Sequence, residues 1–86
     1  MQITLLGKRW RLAFCSNLKD DGDCDAPETP NKTIRIKQGL DPKDELETLI
    51  HEMLHATDWH KDEKDWIEPV ARDIARVLWR LGYRKQ

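Results

Sequence analysis

Two amphipathic stretches separated by a polar break constrain this chain more than any other feature. Across about residues 42–59, Leu46, Leu49, Ile50, Met53, Leu54 and Thr57 recur at i, i+3, i+4, i+7, i+8 and i+11. That is the spacing of one helical face. Asp41 is a good N-cap and Pro42 suits the first helical position, while Asp44, Glu45 and Glu47 favour the positive end of the helix. Residues 60–64 are polar and interrupt the pattern. A second helix is expected over about 65–81, with Ile67, Val70, Ala71, Ile74, Leu78 and Leu81 as its stripe and Gly82 as its stop. Asp65 as N-cap would keep Pro69 in the first turn, where proline is tolerated.

The N-terminal part reads as β-structure. Ile3-Thr4-Leu5-Leu6 precedes Gly7, and then Trp10, Leu12 and Phe14 alternate with Arg9, Arg11 and Ala13. Period two with one apolar face marks a strand, and Gly7 supplies a hairpin turn. Thr33–Lys37 alternates in the same way and gives a third short strand. Residues 17–31 read as a loop, rich in Asp, Pro and Asn. The acid run from Asp20 to Asp25 lacks the closing Glu and the flanking helices of a calcium hand, so a solvated turn is the expectation. Together the elements predict an α+β fold in one domain, residues 1–86: a small twisted sheet of about three strands packed against two helices.

Composition narrows the functions available. The chain has 86 residues, 36% charged, with 15 basic and 16 acidic side chains and a net charge of −1. No nucleic-acid or membrane partner is expected from that balance. Arg80, Arg84 and Lys85 complement a helix C-terminus. No signal-peptide pattern and no apolar run of membrane-spanning length is present, so cytoplasm is the expected compartment and Cys15 and Cys24 the reduced thiols expected there. Their spacing fits no usual zinc pair. The four tryptophans, Trp10, Trp59, Trp66 and Trp79, are expected to pack the core and the elbow between the helices.

The chemistry resides in His51-Glu52-Met53-Leu54-His55, an HExxH inside the first helix and off its apolar stripe. Side chains at i and i+4 lie one above the other on a helix, so two imidazoles can converge on one ion. Glu52, on the adjoining face, can reach a water on that ion and act as general base. Zinc is the expected metal, and it needs a third protein ligand. Asp58 continues the histidine stripe but lies roughly 10 Å along the axis from His51, which suits it to orient a histidine. His60 would need a sharp reversal after Trp59. Glu63 lies in the elbow and stays a candidate. Glu68 is the preferred third ligand: one turn into the second helix, it would face His55 if the helices fold back.

The segments Glu47-Thr48-Leu49-Ile50-His51-Glu52-Met53-Leu54-His55-Ala56 and Trp66-Ile67-Glu68-Pro69-Val70-Ala71-Arg72-Asp73-Ile74-Ala75 resemble the zincin metallopeptidases. The likeness is to the smallest glutamate-type members, the minigluzincins and the SprT-like and phage-encoded metallopeptidases. It implies a zinc peptidase with ligands His51, His55 and Glu68 and base Glu52. It also implies that Thr33–Lys37 is an edge strand along which a peptide substrate lies by β-augmentation. The metzincin spacing is not met, since Asp58 and Lys61 stand where its glycine and third histidine would be. No residues remain for a second subdomain, so the cleft would be open. Tyr83, His60 and Arg72 are the candidates for stabilising the transition state. The competing expectation is a zinc-stabilised module that binds a peptide or protein without cutting it.

Overall fold

The computed structural model describes residues 1–85. Four strands and two helices follow one another: β1 (Gln2–Leu5), β2 (Lys8–Cys15), β3 (Gly22–Cys24), β4 (Thr33–Lys37), α1 (Pro42–Thr57) and α2 (Glu68–Arg80). A five-residue π turn, Glu63–Ile67, runs directly into α2. The fold is α+β as expected, with one strand more than the alternation predicted. The missed strand is β3, which lies inside the loop expected over residues 17–31.

The sheet order is β1-β2-β4-β3. β1 and β2 form an antiparallel hairpin closed by Leu6 and Gly7, both at positive φ (47° and 74°). Two positive φ values in a two-residue loop give the turn whose twist matches a hairpin. β2 and β4 are parallel, with Leu12 beside Ile34 and Phe14 beside Ile36. β3 pairs antiparallel with β4, Gly22 opposite Ile36 and Cys24 opposite Ile34. β4 is therefore an interior strand, and the expectation of a free edge at Thr33–Lys37 is corrected. Three residues of low strand propensity, Gly22-Asp23-Cys24, cover that edge, and only the chain's return from β2 across β4 brings them there.

The strand alternation carries one apolar face onto α1. Trp10, Leu12, Ile34 and Ile36 form a buried cluster with Ala56, and Leu49 and Met53 pack against it. The opposite side of α1 meets α2 through Ile50, Ala71 and Ala75, joined by Leu46, Leu54 and Leu78. The layers are thus sheet, α1, α2, with α2 resting on α1 rather than on the strands. Buried Ile67, Ala71 and Ala75 with Leu78 recur at i, i+4, i+8 and i+11. Two residues of the expected stripe lie elsewhere: Ile74 and Leu81 are exposed. Small side chains on the inner face let the helices approach closely.

The ends of both helices are set by local chemistry. The Asp41 carboxylate accepts the Lys43 N–H, and Pro42 opens α1 as predicted. α2 ends in a paired motif in which Gly82 N–H donates to the Trp79 carbonyl and Tyr83 N–H to that of Leu78, with Gly82 at φ 86°. Arg84 stacks on the Trp79 ring and donates to the Trp79 carbonyl at 2.9 Å, so a cation does complement this terminus. Of the tryptophans, Trp10 is core at 1% exposure, whereas Trp59 is exposed and edges against His55. No helix among the described residues is long and apolar enough to cross a membrane.

Candidate metal centre

α1 presents a third surface, between its sheet-facing and α2-facing stripes, and the HExxH lies there. The rings of His51 and His55 stand 5.1 Å apart, one turn from each other. Nε2 of His51 is 2.8 Å from Oε1 of Glu63, and Nε2 of His55 is hydrogen-bonded to Oε2 of the same carboxylate. One donor atom from each of these three side chains lies within 4.8 Å of the other two. Donors held about 2.0–2.2 Å from one zinc ion sit roughly 3.3 Å apart in a tetrahedron, so two imidazoles and one carboxylate so gathered fit a zinc ion in both spacing and donor type. Among the described residues no fourth metal-capable side chain joins the three.

The carboxylate that meets the two histidines is Glu63 and not Glu68. Among the described residues no grouping of metal-capable side chains includes Glu68, which is exposed at the start of α2. The reason is where the helical turn begins. Asp62, rather than Asp65, is the N-cap: its carboxylate accepts the Asp65 N–H at 2.6 Å. Its carbonyl accepts from Ile67 N–H at 2.9 Å, an i→i+5 bond that widens the turn. The elbow lies two residues earlier than expected, at residues 58–62, so the carboxylate one residue past the cap is the one that reaches back to the histidines. Glu68 stands next to buried Ile67, about 100° around the helix from the face that packs on α1. The cap signal was present in Asp62 itself; the π turn, which no propensity marks, was not legible.

None of the remaining candidates joins this group. Asp58 closes α1 with its backbone N–H on the Leu54 carbonyl, and its side chain bonds neither histidine. His60 and Arg72 are exposed and make no side-chain hydrogen bond among the described residues. Tyr83 lines a separate apolar cavity of about 460 Å³ with Leu12, Phe14, Leu46 and Leu78.

Glu52 is the buried polar residue of the core, 7% exposed. Burial pushes its carboxyl up to about 7, and the charges of Glu63, Asp23 and Asp20 add to the shift. Beside it, Cys24 is pushed up to about 12 by burial and then by Glu52, Asp25 and Asp23, so its thiol stays protonated. Both cysteines are free. Gly22 of β3 sits directly over α1: a Cβ there would lie 2.8 Å from Cγ2 of Thr48 and 3.1 Å from Cγ of Glu52. Only a residue without a side chain lets the strand lie this close to the motif, a role that the loop reading of residues 17–31 concealed. Asp20, Asp21, Gly22, Glu47, Thr48, His51, Glu52 and Glu63 enclose an open cleft of about 310 Å³. Compared with protein-family models, with curated proteins and with solved structures, the chain matches none.

Proposed function

We propose that this protein is a zinc-dependent metallopeptidase, with His51, His55 and Glu63 holding the ion and Glu52 as general base. The observation that carries the reading is the convergence of the two histidines on the Glu63 carboxylate, with His51, Glu63 and the buried Glu52 lining one cleft. Bound zinc would supply Lewis acidity, polarising a substrate carbonyl and lowering the pKa of water. The chain's own residues do the rest. The imidazoles of His51 and His55 and the carboxylate of Glu63 would hold the ion. Glu52 takes the proton of the attacking water and passes it to the leaving amine nitrogen, which completes peptide-bond hydrolysis. Its position on the rigid middle helix keeps that carboxylate aimed at the cleft. The open edge next to the cleft belongs to β3, so an extended substrate would align beside Gly22–Cys24.

The test is cleavage of a peptide mixture by zinc-reconstituted protein, read by mass spectrometry. Unmodified protein should cut and lose activity to a chelator. Glu52→Gln should retain zinc while the rate drops by at least about 100-fold. Zinc binding with no cleavage by either form would identify instead a zinc-stabilised binding module.

A further inference from the structure

Five of the eight residues that line the cleft are carboxylates, and none is a lysine or an arginine. Asp20 and Asp21 come from the loop before β3, and Glu47 precedes His51 by one turn of α1. Among the described residues the ion pairs use Asp23, Asp25, Glu45 and Glu63, so Asp20, Asp21 and Glu47 have no cationic partner. Exposed acids alone would carry no weight. The floor beneath them is different. Glu52 is more than nine-tenths buried and lines this cleft, and none of the side-chain hydrogen bonds among the described residues ends on it. A largely buried carboxylate with no donor from the protein is neutralised by a proton or by a cation that reaches it from its open side.

The outer acids do not converge as ion ligands do: the only grouping of that kind among the described residues is His51, His55 and Glu63. Separated carboxylates around a space of about 310 Å³ suit a cationic head carried on a long side chain better than a small bare ion. We infer that this cleft selects a peptide bearing arginine or lysine next to the bond to be cut, the cationic head lying against Asp20, Asp21 and Glu47. The inference takes its substrate from the metallopeptidase reading and adds the side chain that is recognised. Walls of one charge also speed the approach of such a peptide at low salt.

The experiment compares matched peptides on zinc-reconstituted protein: arginine against citrulline, which keeps the shape and removes the charge, and lysine against norleucine. Binding is read by fluorescence anisotropy and cleavage by mass spectrometry. The charged member should bind about tenfold tighter, with the ratio shrinking several-fold as salt is raised to about 0.5 M. The combined Asp20→Asn, Asp21→Asn, Glu47→Gln variant should bring the ratio close to one; should it not fold, the peptide pairs on unmodified protein still decide. Equal affinity for arginine and citrulline overturns the inference, and if those peptides are nonetheless cut the peptidase reading survives it. A charge preference without cleavage removes the peptidase reading and leaves cation recognition standing. Loss of the preference on adding micromolar calcium would make the cleft an ion site and overturn the inference.

Discussion

Glu63 and Glu68 are five positions apart, one wide turn, and that turn decides which carboxylate meets both histidines. Glu63→Ala should weaken zinc binding by on the order of 100-fold or more, measured by competition with a chromophoric chelator. Glu68→Ala should leave affinity within about threefold; the reverse ranking would contradict the geometry. Gly22 is the other residue on which the site depends. In Gly22→Ala the new Cβ would stand 2.8 Å from Thr48 Cγ2 and 3.1 Å from the Arg35 carbonyl oxygen. Neither is the flexible end of a long side chain, so strand and helix must part. The expected cost is about 1–3 kcal/mol, read as a fall in the midpoint of thermal unfolding. An unchanged midpoint would mean that β3 does not lie tight against α1.

At the scale of elements, β3 depends on ionic and backbone ties because its three residues offer almost no apolar surface. The Asp25 carboxylate accepts the Thr33 N–H at 2.9 Å and an Arg35 N–H at 2.8 Å, while Asp23 takes the other arm of Arg35. Burial alone would raise the Asp25 carboxyl, but the bonds from Arg35 and Thr33 and the guanidinium charge outweigh it and hold the group below its usual range. A carboxyl depressed in the folded state stabilises the fold above its unfolded value, and the contribution disappears as pH falls through the folded one. Stability should therefore drop below about pH 4, and Asp25→Asn should flatten that acid limb in denaturant titrations at stepped pH. A limb unchanged by Asp25→Asn would assign the acid sensitivity elsewhere. The π turn is the second element-scale device: its i→i+5 bonds end α1's elbow early and aim Glu63 inward.

For the whole molecule, the layering makes α1 the only element among the described residues that touches both the sheet and α2. It spends two faces on packing and has one left for chemistry. An 86-residue chain buries a modest share of its surface, so a ligand bound only by the folded state should stabilise it visibly. At zinc concentrations about 1,000 times the dissociation constant the gain is roughly 4 kcal/mol, equivalent to a rise of more than about 10 °C in the midpoint for a domain of this size. Scanning calorimetry with zinc and then with chelator checks this; no shift would contradict zinc binding at the centre.

The sequence by itself determined the two helices, the cap at each outer end and the positions of His51, Glu52 and His55, because each depends on neighbours within a turn or on a period of two or 3.6. Asp41-Pro42 and Gly82 were legible for that reason, as were the alternating strands. Tertiary structure alone decided that β3 closes the edge of β4, that Ile74 and Leu81 stay outside while Ala75 goes inside, and that Glu63 rather than Glu68 completes the group. Each of these depends on how one element is rotated against another through contacts remote in sequence. A single residue of helical phase, set here by a widened turn, moves a side chain by about 100°.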